Sequence, residues 1–183
     1  MIDVERLKEA ILSPDTPLLG AGIARRVYGI SDQVVAKVPR AVESLQQQIE
    51  INFHQMYADT EWGRFLPEIY GVIEINDAPV IFMERVEPLG MYIFDYINHH
   101  YSDEEKYDML AYIQDFEDYT RIFDCSDNEN NWGINKEGQL VLMDCGMSDE
   151  YYEMYDEVYL NEVYSDADYF SSKSYDVVYR EAV

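Results

Sequence analysis

The chain has 183 residues, with 13 Lys and Arg against 37 Asp and Glu, and a formal net charge of −24. A hydrophobic content of 48% is enough for a packed core in one domain or two small lobes, which disfavours a wholly disordered chain. The excess of carboxylates disfavours direct binding to nucleic acid or to an anionic membrane surface, since both need Lys and Arg. No apolar run reaches the roughly 20 residues of a membrane span. Two cysteines form no disulfide framework, so we expect a cytoplasmic protein with reduced thiols.

The first half of the chain predicts a small antiparallel sheet with helices. Its predicted elements are a helix at 3–12, strands within 18–29 and at 34–38, a helix at 43–57, and strands at 72–75 and 79–83. Asn76 and Asp77 predict the turn between the last two strands. The helix at 43–57 is expected to bury one face that carries Ile49, Phe53, Met56 and Tyr57.

The second half of the chain predicts a helix followed by a β-hairpin. Ser102 with Glu105 three residues later is typical of a capping box at a helix start. The apolar face of this helix is expected to carry Met109, Ile113, Phe116, Thr120 and Phe123. After a polar loop at 124–131, strands at 132–134 and 139–143 are predicted to flank a turn. The chain is therefore expected to be α+β, ending in an acidic, tyrosine-rich segment.

The glycines and the strand lysine indicate a phosphate site. Gly20 and Gly22 lie between two strand-like runs, and such a hairpin either makes only a tight turn or folds over a phosphate chain. Lys37 follows three apolar residues in its predicted strand, so it must either reach solvent or find an anion. Glu50 on the next helix is the first candidate partner for Lys37, and Glu43 is the second.

The hairpin near the C-terminal end predicts a magnesium site. Asp144 directly follows an apolar strand, so it is either a turn residue before Gly146 or a cation ligand at the strand end. Pairing of the hairpin is expected to bring Asn130 or Asn131 beside Asp144. An amide oxygen and a carboxylate together are suitable ligands for Mg²⁺, with nucleotide phosphates completing the shell.

The order of these parts resembles that of the protein-kinase-like fold, and most closely the small divergent kinase-like proteins of bacteria and bacteriophages. The resemblance covers residues 17–148. It implies ATP and Mg²⁺ as cofactors, a small antiparallel N-lobe with one helix, and a truncated, mostly helical C-lobe. The matching motifs are a glycine-rich loop (Gly20, Gly22, Arg25, Val27), the strand lysine (Lys37) with its helix partner (Glu50), an adenine-binding hinge (Met83, Glu84, Val86), and metal ligands (Asn131, Asp144).

The implied domains are an N-terminal helix at 1–16, an N-lobe at 17–86, a reduced C-lobe at 87–148 and an acidic C-terminal segment at 149–183. The sequence departs from the family pattern at three points. Arg25 stands in place of the third glycine, the His-Arg-Asp motif is absent, and no Ala-Pro-Glu sequence follows Gly146. Asp124 is the first candidate for the catalytic base and Asp127 the second.

Two functions remain open at this point. The first is a phosphotransferase acting on Ser/Thr or on a small molecule, in which Lys37 holds phosphates and Asp124 accepts the hydroxyl proton. The second is a catalytically inactive kinase-fold protein of the kind that bacteriophages encode, whose carboxylates mimic nucleic acid and bind a basic host protein. The expected acidic surface spans 95–117 and 149–168, and its default role is to keep the protein in solution.

Overall fold

The computed structural model describes residues 4–22, 24–40, 45–122, 126 and 128–145. Their contacts divide them into two compact units. The first, which we call the sheet unit, comprises the described residues up to 48 together with 68–85. The second, the helical unit, comprises 49–67 and the described residues from 86 to 145. None of the helices in these ranges is both long and apolar enough to span a bilayer.

The sheet unit contains one complete helix and a five-stranded sheet. Its elements are α1 (Val4–Leu12), β1 (Leu18–Ala21), β2 (Arg25–Gly29), β3 (Val34–Pro39), β4 (Ile69–Ile75) and β5 (Ala78–Glu84). The strand order is β1-β2-β3-β5-β4, and every neighbouring pair is antiparallel. The predicted helix and strands are therefore confirmed, although β4 begins three residues earlier than expected.

The turn between β4 and β5 is formed by the two residues predicted for it. Asn76 and Asp77 have φ angles of 51° and 63°. A two-residue hairpin turn with both central residues at positive φ matches the right-handed twist of the strands, and Asn and Asp tolerate that conformation better than other non-glycine residues. This turn fixes the register in which Ile75 pairs with Ala78.

One face of the sheet is covered by apolar residues that include part of α1. The buried members of this core are Ile11, Ala36, Val38, Ile75, Val80 and Phe82. Ala36 pairs directly with Phe82, so their side chains lie on the same face. Because side chains alternate along a strand, the odd-numbered residues of β3 and β5 lie on the opposite face.

Helix α2 (Leu45–Tyr57) begins in the sheet unit and ends in the helical unit. Ile49 and Phe53 are buried as predicted, but the prediction for Met56 is wrong because its side chain is 54% exposed. The apolar stripe continues instead through Tyr57, whose ring lies 4.7 Å from that of Phe53. Tyr57, four residues after Phe53, is therefore partly buried in the last turn, whereas Met56, three residues after Phe53, is exposed.

The helical unit contains short strands and two further helices. Its elements are a 3-10 helix (Glu61–Phe65), β6 (Glu87–Pro88), α3 (Ile93–His100), α4 (Asp103–Thr120), β7 (Trp132–Ile134) and β8 (Leu140–Leu142). The strands form a second sheet in the order β6-β7-β8. The capping box of Ser102 and Glu105 is present at the start of α4, as predicted. The sequence pattern did not predict α3 or the 3-10 helix.

The core of the helical unit is mainly aromatic. Phe65 has ring contacts with Phe116 at 5.3 Å and with Trp132 at 5.7 Å between centroids. Ile113, Phe116 and Thr120 are buried, which confirms the predicted face of α4. Met109 packs partly buried against this core, and the last predicted member, Phe123, lies outside the described residues. The α+β class is confirmed, with a small antiparallel sheet and a short, mostly helical second part.

Candidate nucleotide site

Lys37 lies at the centre of one face of the five-stranded sheet. It pairs with Val27 of β2 and with Ile81 of β5, and directly opposed side chains lie on the same face. The Lys37 side chain is buried, with a relative exposure of 5%. A buried ammonium requires hydrogen-bond acceptors or an anion, because desolvation of an isolated charge is costly. Because its side chain is buried, Lys37 is not an ordinary surface lysine. It interacts with neighbouring groups, as this burial requires.

Arg25 and Met83 lie on the same face as Lys37. Arg25 pairs with Pro39, two residues beyond Lys37, and Met83 pairs with Val35, two residues before it. Because strand side chains alternate, a spacing of two residues returns to the same face. Arg25 is also buried, at 5% exposure. Four of the predicted cofactor-binding residues thus share one face, and two of them are buried cations.

The two loop glycines differ in what surrounds them. Gly20 pairs with Val27, and a Cβ added there would have no atom within 4 Å. The face that carries Val27 and Lys37 therefore leaves open space beside Gly20. The Gly22 amide donates to the Arg25 carbonyl at 2.9 Å, so it closes the hairpin. In this conformation the Gly22 amide is already used and does not serve as a phosphate donor.

The predicted hinge has most of its backbone donors in use. The Glu84 amide donates to the Glu68 carbonyl, and the Arg85 amide to the Gln33 carbonyl, both at 2.8 Å. The buried Glu84 carboxylate accepts from the Glu68 amide at 3.4 Å, so it anchors the chain that enters β4. We find no partner for the Val86 amide among the described residues. Of these three amides, the one at Val86 is the donor that a ligand could use.

The register of the hairpin in the helical unit places Asn131 opposite Met143, the residue before Asp144. Trp132 pairs with Leu142, and the Met143 amide donates to the Asn131 carbonyl at 2.6 Å. The predicted pairing of this hairpin is confirmed. Asn130 is exposed in the preceding turn, where its amide donates to the Asn128 side chain at 3.0 Å. The register does not decide between Asn130 and Asn131 as the neighbour of Asp144, and the metal-binding role of these residues stays a prediction.

Glu50 is fully buried in α2, at 0% exposure. Two further ionisable side chains lie close to it, and the sequence did not predict them. Glu50, His54 and Cys145 each offer a donor atom, and these three atoms lie within 4.8 Å of one another. The i,i+4 spacing of Glu50 and His54 was the available signal, since it places both side chains on one face of a helix. No local signal connects Cys145 to them.

The candidate catalytic bases, Asp124 and Asp127, and the alternative lysine partner, Glu43, lie outside the described residues. Their roles stay predictions. The pairing of Lys37 with Glu50 also stays a prediction, because the two residues belong to different units.

No family model matches the chain, and the search of curated proteins finds no match. Among solved structures, the chain is similar to the co-crystal structure of WbdD with the kinase inhibitor LY294002, with a TM-score of 0.46 and 15% identity. It is also similar to the GDP and kanamycin complex of APH(2")-IIia, with a TM-score of 0.42 and 12% identity. The two alignments cover 72% and 66% of this chain, but it spans only 32% and 41% of those chains. These likenesses concern the fold alone.

Proposed function

We propose that the protein binds ATP with Mg²⁺ and transfers its terminal phosphate to a hydroxyl group of Ser/Thr or of a small molecule. The observation that carries this proposal is the buried Lys37 on a sheet face that also presents Arg25, Val27 and Met83. Buried cations on one face, next to the open space at Gly20, are suited to an anionic ligand with an apolar portion.

The phosphate chain would be held by cations and oriented by an acid. Lys37 would neutralise the phosphates, with Glu50 holding its ammonium in place, as the family resemblance implies. Arg25 is diagonal to Lys37 across β2 and β3, so it could add a second cation where the family pattern has a glycine. A guanidinium with its planar set of donors binds phosphate oxygens in pairs, which makes up for the occupied Gly22 amide.

The adenine ring would lie against Val27 and Met83 and hydrogen-bond to the hinge backbone. The Val86 amide would be the donor and the Glu84 carbonyl the acceptor. We assign this role to the Glu84 backbone and not to its side chain, because the carboxylate accepts a hydrogen bond from the Glu68 amide.

Phosphate transfer depends mainly on positioning and on neutralising charge. Asn131 and Asp144 would supply oxygen ligands to Mg²⁺ from the two sides of the β7–β8 hairpin. Asp124 would accept the proton of the attacking hydroxyl, and Asp127 is the alternative.

Binding is tested by thermal unfolding with ATP and Mg²⁺, with ATP alone and with neither. A ligand that binds only the folded state at 100 times its Kd adds about 2.7 kcal/mol to the free energy of unfolding. Lys37→Ala and Asp144→Ala should each remove this stabilisation. Lys136→Ala and Asp108→Ala change exposed residues of the same charge and should retain it. If the wild type shows no shift at millimolar ATP with Mg²⁺, the proposal fails.

Catalysis is tested separately with Asp124→Asn, which keeps the size of the side chain but removes the base. We expect ATP binding to persist and turnover to fall by a factor of about 10²–10⁴. Asp127→Asn is the matched control and should keep most of the activity. The reverse result would assign the base to Asp127 instead.

A second candidate function is supported by the acidic surface of α4. In this helix, acids at six positions are exposed: Asp103, Glu104, Glu105, Asp108, Asp115 and Asp118. We propose as the alternative that the protein is catalytically inactive and binds a basic, nucleic-acid-binding protein through these carboxylates. ATP binding without turnover in the wild type would support this alternative.

The alternative is tested by salt and by competition. Exposed charges are screened beyond about 8 Å at physiological ionic strength, so capture of a basic partner should fall steeply with added salt. Duplex DNA should compete for the captured partner if the carboxylates mimic phosphates. A variant with the six acids of α4 changed to Asn or Gln should lose capture. Capture that is insensitive to salt, to DNA and to this variant would refute it.

A further inference from the structure

Three side chains that can bind a metal lie together inside the helical unit. Glu50 and His54 are one turn apart on α2, and Cys145 lies three residues after the end of β8. Their donor atoms, a carboxylate oxygen, an imidazole nitrogen and the thiol sulfur, lie within 4.8 Å of one another. Their relative exposures are 0%, 5% and 0%. The cluster is therefore held by a helix and a strand end rather than by mobile surface side chains.

We propose that Glu50, His54 and Cys145 bind one Zn²⁺ ion. Tetrahedral bonds of about 2.0–2.3 Å place neighbouring ligand atoms roughly 3.3–3.8 Å apart. Donors at the observed limit of 4.8 Å would need to close by about 1.0–1.5 Å, which side-chain rotation can supply. The fourth position would hold water or another ligand, as in zinc sites with three protein ligands.

The donor set selects zinc over magnesium. Mg²⁺ prefers six oxygen ligands in octahedral geometry, whereas thiolate and imidazole favour Zn²⁺ and similar transition metals. The proposed zinc site is thus distinct from the magnesium ligands Asn131 and Asp144, although Cys145 follows Asp144 in the chain.

Charge balance supports the same assignment. A thiolate and a carboxylate together carry two negative charges, and a neutral imidazole adds none. One Zn²⁺ ion makes the whole cluster neutral, which reduces the cost of placing these groups in a low-dielectric interior. Bound metal would also connect α2 to the segment after β8, so it should stabilise the helical unit.

The first experiment uses the wild-type chain. Protein stripped with a chelator and dialysed should take up about one equivalent of Zn²⁺, measured by elemental analysis, and should unfold at a higher temperature after uptake. X-ray absorption of the zinc-loaded protein should show one sulfur and several nitrogen or oxygen neighbours. Failure to retain zinc, or a shell of oxygen and nitrogen alone, would overturn the proposal whether or not any variant folds.

The second experiment identifies the ligands with matched variants. Loss of a partner that only supports a metal ligand weakens binding about 10–100-fold, so loss of a direct ligand should weaken Zn²⁺ binding at least about 100-fold. Cys145→Ser and His54→Gln should show this loss, with folding checked by circular dichroism. Cys125→Ser and His99→Gln should bind zinc like the wild type. In Co²⁺-loaded protein, the thiolate charge-transfer band should vanish in Cys145→Ser and persist in Cys125→Ser, and the opposite pattern would refute the site.

The zinc proposal shares Glu50 with the proposed function, in which that carboxylate holds the Lys37 ammonium, so the variants that separate the two proposals are made at His54 and Cys145. His54 and Cys145 have no assigned role in ATP binding, so ATP-dependent stabilisation is measured in the same variants. Zinc uptake without any ATP effect would reject the nucleotide function and leave the metal site standing. ATP-dependent stabilisation of a protein that takes up no zinc would reject the metal site and leave the nucleotide function standing.

Discussion

The two units use burial in different ways. In the sheet unit, Arg25, Lys37 and Glu84 are almost fully buried within the strands, so charged groups occupy positions where apolar ones are usual. In the helical unit, the largest fully buried side chains are aromatic and include Trp132, Phe65 and Phe116, while Glu50, His54 and Cys145 form one buried cluster.

This difference separates the sources of binding and of stability. Burying a charge costs free energy that its partners must offset, and Arg25 and Lys37 both interact with neighbouring groups. Burying an aromatic ring removes a large apolar area from water and is favourable by itself. We therefore expect substitutions in the aromatic core to affect folding most, and substitutions on the cationic face to affect ligand binding most.

The largest expected effect is at Trp132. Its side chain is fully buried and packs against Phe65 with ring centroids 5.7 Å apart. Trp132→Ala should lower the free energy of unfolding by about 3–5 kcal/mol through lost burial and the resulting cavity. Urea unfolding followed by circular dichroism measures this loss. Tyr107→Ala, at a side chain that is 78% exposed, is the control and should change stability little. Equal effects at the two positions would contradict the aromatic core.

The next largest effect on stability is expected at Gly133, where neighbouring chain segments lie very close together. A Cβ at Gly133 would lie 2.4 Å from Val86 Cγ1 and 2.6 Å from the Glu87 carbonyl oxygen. Gly133→Ala should therefore destabilise at the upper end of the roughly 1–3 kcal/mol typical of overpacking. Gly20→Ala places the same methyl group in open space and is the matched control. If urea midpoints shift equally in both variants, the close approach of β6 to β7 is wrong.

A smaller effect is expected where α2 meets the sheet. Gln47 is fully buried, and its Nε2 donates to the carbonyls of Lys37 at 2.8 Å and Pro79 at 3.0 Å. Gln47→Met keeps the length of the side chain but leaves two carbonyls without this donor, which should cost about 1–2 kcal/mol. Gln55→Met, at an exposed position of the same helix, is the control. Unchanged stability in Gln47→Met would show that these two bonds add nothing.

The sequence predicts the regular parts of the fold better than the site. Alternating apolar residues and the Asn76–Asp77 turn were sufficient for the strands, because both signals are local. Whether Arg25 and Lys37 lie on the same face of the sheet depends on strand register, which is non-local. The hydrogen bond from the Gly22 amide to the Arg25 carbonyl depends on the conformation of the turn. The Glu50–His54–Cys145 cluster was missed because Cys145 lies over 90 residues beyond Glu50 in the chain. Its members meet only through tertiary packing.

The smallest effect concerns the start of α4 and its pH dependence. The hydroxyl and backbone amide of Ser102 donate to the Glu105 carboxylate at 2.6 and 2.9 Å, and these bonds lower the pKa of Glu105 below its usual value. A group whose pKa is lower in the folded protein stabilises it above the unfolded pKa. That contribution is lost as the pH falls through the folded pKa.

Unfolding of the wild type should therefore become easier between neutral and acidic pH by an amount that Glu105→Gln removes. The comparison is made as the difference between the two proteins at each pH, because many other carboxylates also titrate in this range. Glu104→Gln changes an exposed neighbour in the same first turn, and it should keep the wild-type pH dependence. The capping box of α4 would have no measurable electrostatic role if the two variants had the same pH profile.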